Sequence, residues 1–237
     1  MKQARKLRIL CFGFLWLLGI GSADTFAFQL EQRPAEDYIE RMERPGRVAG
    51  LKVDEVIAKL QLKPGDIVAD IGSGSGTFSI PMAKAIAPSG ILYAVDIDQK
   101  MLDYVAEKAK KEGLTNVRTV LGKYEDPLLP VKDVDVAFYH RALHMIEKRQ
   151  AHLNNTAKYL KPDGRIVVID KNRVDSPDSW MWLEQSDVDT WMAALSFYPA
   201  EKFAVFDDRY FVSYQRPYGN SVLLKKSEPE RAPEKKY

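Results

Sequence analysis

The sequence predicts an α/β fold: a doubly wound, seven-stranded, mostly parallel sheet of Rossmann-like type with a C-terminal antiparallel hairpin. Three observations predict it. Strand-length apolar runs alternate with helical segments of about 10–15 residues, a spacing that implies right-handed crossovers and a parallel sheet covered on both faces. Three glycines follow the first run directly in "VADIGSGSGTFSIP", residues 68–81, where backbone must turn sharply or approach something closely. Near the C-terminus, "EKFAVFD" and "RYFVSYQRP" stand too close together for a helix to join them, so they pair as a hairpin around Asp207 and Asp208.

The elements follow in order. Residues 52–61 carry Val53, Val56, Ile57 and Leu60 at helical spacing, and Pro64 and Gly65 stop that helix. Strands are expected at 67–71, 91–96, 117–121, 134–139 and 165–170. Helices are expected between them at 76–87, 99–112 and 147–160, with another over 178–195. The charged stretch 28–50, broken by Pro34 and Pro45, reads as a linker or short helix. The folded domain then spans 51–217, and the polar run 218–237 reads as a disordered tail.

Composition narrows the function classes. With 237 residues, 46% of them hydrophobic, the chain supports one sizeable core. Its formal charge of +2 is uneven, because Lys2, Arg5, Lys6 and Arg8 precede the first acid; residues 24–237 carry 31 basic and 33 acidic side chains, a net of −2. That balance argues against nucleic acid as a partner. The basic head leads into an apolar run at 9–20 and then Gly21 and Ala23, with a second small-residue site at Ala27. Residues 1–27 are therefore expected to be a signal peptide or an N-terminal membrane anchor, giving an exported (periplasmic or secreted) or membrane-anchored domain. Cys11 is the one cysteine and lies in that leader. No cysteine nucleophile, disulfide or metal site is expected in the remaining chain.

The glycine spacing is G-x-G-x-G, at Gly72, Gly74 and Gly76, with Asp70 two residues ahead. A dinucleotide fingerprint would put its third glycine at Thr77. In an open parallel sheet this first strand-to-helix turn is where backbone meets a ligand. "VADIGSGSG" resembles the first motif of class I S-adenosylmethionine-dependent methyltransferases, bacterial small-molecule enzymes among them. "YAVDID" is similar to their second-strand motif, "DVDVAFYHRALHMI" to the fourth and "YLKPDGRIVVIDK" to the fifth. The resemblance covers about 52–217.

It implies S-adenosyl-L-methionine as cofactor. Asp70, Gly72, Ser73, Gly74 and Gly76 would hold its amino-acid end, Asp96 its ribose, and Ile97, Tyr124 and Glu125 its adenine. The turn after the third strand departs from the family pattern, since Lys123 stands where relatives often carry an acid. The expected activity is methyl transfer to a small or apolar acceptor, with His144 as general base, no metal, and membrane association only through the leader.

Other readings stay open at this level. Asp70 could cap its turn, Asp98 competes with Asp96 for a role at the second strand end, and His140 and His144 could be packed side chains. Trp180, Trp182 and Trp191, with Met181 and Met192, suit either an acceptor lid or core. Lys108, Lys110 and Lys111 read as a solvated helix face. A nucleotide-cofactor oxidoreductase is the alternative enzyme, and a non-catalytic methyltransferase-like binding protein, favoured by Lys123, the non-enzyme alternative.

Overall fold

In the computed structural model, which describes residues 35–172 and 183–217, seven strands lie in the order β3-β2-β1-β4-β5-β7-β6. They are β1 (Ile67–Ile71), β2 (Ile91–Asp96), β3 (Val117–Leu121), β4 (Val134–His140), β5 (Leu160–Asp170), β6 (Tyr198–Lys202) and β7 (Tyr210–Gln215). The first five run parallel, whereas β7 is antiparallel to both β5 and β6. The helices are α1 (Ala35–Glu43), α2 (Pro45–Ala49), α3 (Val53–Leu60), α4 (Ser79–Ile86), α5 (Gln99–Lys111), α6 (Arg149–Ala157) and α7 (Gln185–Ala193). The expected leader, the tail and the segment holding Trp180, Met181 and Trp182 lie outside the described residues.

Alternation along each strand divides the core between the two faces. Val68, Leu92, Ala94, Val136, Phe138, Val167 and Ile169 pack with Val56 and Leu60 of α3, Met82 and Ile86 of α4 and Val105 of α5. Their neighbours Ala69, Ile71, Val95, Ala137, Tyr139, Ile166 and Val168 pack with Leu153 of α6 and Val188 and Met192 of α7. Each fully buried aliphatic or aromatic side chain contributes about 1.5–3 kcal/mol. That contribution makes a one-residue slip of any central strand prohibitive.

Several boundaries differ from the sequence expectation, each for a local reason. α4 begins at Ser79 instead of residue 76, because Gly76 sits at φ 72° and cannot continue into a right-handed helix. β5 begins at Leu160, five residues early, and α6 stops at Ala157. The Pro-Asp-Gly segment that reads as a turn is absorbed by a shift in register between Val134 and Val136. A side chain on Gly164 would lie 2.8 Å from the Val134 carbonyl, so glycine keeps the irregular strand against β4. The hairpin pairs residues 198–202 with β7, so of the expected strand 201–207 Glu201 and Lys202 lie in β6, and the Phe203 amide still bonds the Phe211 carbonyl at 2.9 Å. β6 is an exposed edge strand containing Pro199, a position where a missing N–H costs no ladder bond.

Residues read as a linker or short helix form α1 and α2. Glu43 of α1 accepts two bonds from Lys108 Nζ, at 2.9 and 3.0 Å, and Met42 lies against Gly74. Lys108 is therefore a tether and not part of a solvated face, and it also reaches the Ser75 carbonyl at 3.4 Å. Lys110 and Lys111 are exposed.

Candidate active site

The glycine turn is shaped by the three positive φ angles of Gly72, Gly74 and Gly76, at 75°, 51° and 72°. The amides of Gly72 and Ser73 both donate to the Val95 carbonyl at 2.9 Å, which hooks the loop over the end of β2. At Gly72 a Cβ would come within 2.4 Å of the Ala142 Cβ. That approach sets the loop directly beside the segment that follows β4. The Ser73 hydroxyl is buried and unpartnered among the described residues, so the loop retains polar capacity that no protein group uses.

Asp96 ends β2. Its Oδ2 accepts from the Gly74 amide at 2.9 Å and its Oδ1 from the Asp98 amide at 3.1 Å. Asp98 caps α5 through Lys100, so the two acids divide the roles that the sequence left in competition. Burial pushes the Asp96 carboxyl up, against the lowering effect of its backbone donors. Asp70 is buried at the end of β1 and accepts a bond from the Ser79 hydroxyl. Loss of water raises its pKa to about 7, the Ser79 bond opposes this, and the nearby Asp96 charge adds to it.

Ile97 and Tyr124 expose apolar side chains beyond β2 and β3, alongside Leu121 and Leu128. Glu125 directs its carboxylate to Lys148 Nζ at 3.0 Å, and that pairing holds it below the usual carboxylate range. The backbone here is fixed from beneath by a residue the sequence reading passed over. His152 Nδ1 bonds the Tyr124 carbonyl at 2.9 Å, and its Nε2 meets the Tyr139 hydroxyl at 3.0 Å. Tyr139 in turn bonds Thr156 at 2.7 Å. A carbonyl can only accept, so Nδ1 carries a proton, and the buried ring positions the Tyr124 turn. Burial accordingly pushes its pKa down.

On the other side of the loop, His144 lies in a short 3₁₀ turn, Leu143–Met145. Its Nδ1 is 3.0 Å from Oδ2 of Asp170, whose side chain at the end of β5 is fully buried. Arg149 donates to the Leu143 and His144 carbonyls and fixes the turn. A carboxylate can only accept, so this bond places the proton on Nδ1 and leaves the Nε2 lone pair to take another. Asp170 was not among the sequence candidates; an acid closing the run "IVVID" was the available signal. His140 is a different case: its ring packs on Phe78 at 4.6 Å, and its Nε2 is buried and unpartnered among the described residues. Burial drives its pKa well down, helped by the charges of Arg209, Arg47 and Arg141. Trp191 packs against the core and Met192 is buried within it. No group of three or more histidine, cysteine, aspartate or glutamate side chains is placed to hold a metal among the described residues.

Residues 62–202, more than half of the chain, match the family described as methyltransferase domain. The chain belongs to this methyltransferase family. Similar proteins include the nocamycin O-methyltransferase of Saccharothrix syringae, 32% identical over 44% of this chain and 37% of the relative. The demethylmenaquinone methyltransferase of Lactobacillus johnsonii is 30% identical over 50% and 49%. The methyltransferase chain thus spans about half or less of the length of these relatives. Its fold is shared with a SAM-dependent methyltransferase from Aquifex aeolicus, at a TM-score of 0.70 and 22% identity, covering 77% of this chain and 98% of that one.

Proposed function

We propose that the protein is an S-adenosylmethionine-dependent methyltransferase acting on a small-molecule acceptor, with His144 as the base. One observation carries the reading. The contact between Gly72 and Ala142 sets a side-chain-free cradle beside the turn that presents His144, at the edge of the sheet where ligands of open α/β folds bind.

The residues present suit the cofactor. The loop offers close backbone approach and the unpartnered Ser73 hydroxyl, Asp96 offers carboxylate lone pairs for vicinal hydroxyls, and Ile97 and Tyr124 offer apolar cover for a purine. When bound, the cofactor supplies a methyl group on a sulfonium whose departure leaves a neutral thioether. His144 Nε2 takes the acceptor's proton as the acceptor atom bonds carbon, and Asp170 holds the imidazole in the tautomer that allows this. The loop and His144 align the reactants for in-line transfer, which is the larger share of the task when the leaving group needs no protonation. The apolar-acceptor expectation loses its main described support, since Trp191 and Met192 belong to the core. The reading extends to location: residues 1–27 route the domain out of the cytosol or tether it to a membrane.

Calorimetric titration of residues 28–237 with S-adenosylmethionine tests this. Saturable binding is expected, weakened about tenfold or more in Asp96→Ala, as for loss of a hydrogen bond to a charged group. His144→Gln should bind the cofactor normally and lose about a hundredfold or more in turnover of any acceptor found. Binding of a nicotinamide dinucleotide instead would favour the oxidoreductase, and binding of neither a non-catalytic fold.

A further inference from the structure

Beside the His144 turn lies a cationic cluster that neither the cofactor nor the base accounts for. Arg141 follows β4 directly and adopts φ 54°, a left-handed conformation that a bulky residue rarely takes. Its Nε is 3.5 Å from Asp170 Oδ1 but makes no hydrogen bond there. Arg209 precedes β7; its guanidinium stacks on Phe206 at 4.6 Å, and its Nε lies 3.0 Å from Asp208. Arg47 of α2 donates to the Met42 carbonyl, at 2.7 Å.

The acids among the described residues do not saturate these groups. Asp208 is shared with Lys171 Nζ at 2.8 Å. Asp170 is already engaged by His144 and by the Lys171 amide at 2.9 Å. Glu43, the other acid near Arg47, is held by Lys108. Asp170 pairs with Tyr210 across β5 and β7, which sets Arg209 next to Asp170, the neighbour of Arg141. These two guanidiniums thus draw on Asp170 and Asp208, which have other donors, and the charge of Arg47 joins theirs in depressing the ionisation of His140. Side by side, such cations repel one another unless an anion lies among them. The buried His140 Nε2 has no hydrogen-bond partner among the described residues, and the neutral ring adds no cation of its own.

The geometry points to an oxyanion subsite: we propose that Arg47, Arg141 and Arg209 hold a carboxylate or phosphate group of the methyl acceptor, beside the His144 turn. The acceptor is then a small anionic compound. Guanidinium forks match the planar oxygen pairs of both groups and, being weakly hydrated, bind them better than ammonium does. Arg47 comes from the N-terminal helices and the other two from the sheet, so an anion also draws α2 onto the site. This inference rests on the methyltransferase reading only for calling the anion part of an acceptor; the subsite itself does not need it.

The test is titration of the purified protein, preloaded with S-adenosylhomocysteine, with inorganic phosphate and separately with benzoate. At least one is expected to bind saturably, less tightly as sodium chloride rises, and with affinity reduced about tenfold in Arg141→Gln and in Arg47→Gln. Arg141→Lys should recover part of the loss, because charge returns without the fork. Preference for phosphate or for benzoate identifies the oxyanion. S-adenosylmethionine affinity measured on the same variants should be unchanged, which shows that they fold. Failure of both anions to bind, or equal binding by wild type and the glutamine variants, overturns the subsite. Loss of cofactor binding by the wild type would instead overturn the methyltransferase reading while leaving the anion titration interpretable.

Discussion

Asp70 holds a carboxyl at the end of β1 where water scarcely reaches, with the Ser79 hydroxyl donating to it. Its pKa in the fold is about 7, against about 3.9 in an unfolded chain. The raised value means that folding favours the protonated form. The stability this group contributes is fully present below about pH 4 and is lost as pH rises to about 7, where the folded protein must carry a buried charge. Asp70→Asn cannot ionise and keeps an acceptor for Ser79. Urea unfolding from pH 4 to 8 should show the variant gaining on wild type by a few kcal/mol across that window. Parallel curves would sink the idea. At this scale the sequence exposed Asp70, Asp96 and His144 because motif spacing names residues at strand ends. It left Asp170, His152 and the three arginines unmarked, since each acquires its role from a partner 26 or more positions away or from another element.

Among elements, α1 and α2 stand apart. α2 buries no side chain, and α1 is held by the half-exposed Glu43–Lys108 pair, the exposed Glu36–Lys100 pair and Met42 over Gly74. A partly exposed ion pair contributes about 1 kcal/mol or less. Such a cover opens far below the global unfolding free energy, which lets ligands enter beneath it. Amide exchange in residues 35–49 should be fast in the free protein and slowed about tenfold or more by S-adenosylmethionine, while β1 and β4 change little. Equal protection of α1 and α5 without cofactor would contradict this. The helices over residues 53–60 and 99–111 were legible from apolar spacing. β6 was not: its five residues are all exposed, so no burial pattern marks it, and only pairing to β7 makes it a strand.

At the scale of the whole molecule, the strand order brings the ends of β1 and β2 and the segments after β4 and β5 to one edge of the sheet. The glycine turn, the His144 turn and the arginines flanking β4 and β7 meet there although they are distant in sequence. Among the described residues no helix is long and apolar enough to cross a membrane, so a membrane tether would have to come from elsewhere, and residues 1–27 are the candidate. Fractionation of cells expressing the full chain with a C-terminal tag should place it in the membrane or exported fraction, and deletion of residues 1–27 should return it to the cytosol. A full-length chain found in the cytosol would remove that proposal.

The sequence by itself determined the layered α/β architecture, the parallel core and the glycine turn with its flanking acids. Periodicity, glycine's freedom at positive φ and strand-end position are local properties that a chain carries wherever it folds. Tertiary structure alone decided that Asp170 bonds His144, that His152 sets the Tyr124 turn, that Lys108 ties α1 to the loop, and that Arg141 and Arg209 flank the end of β5 at Asp170. These depend on which side chains crossover connections bring within a few ångströms. Charge and hydrogen-bond energies depend on distance and burial, neither of which is written in the order of residues.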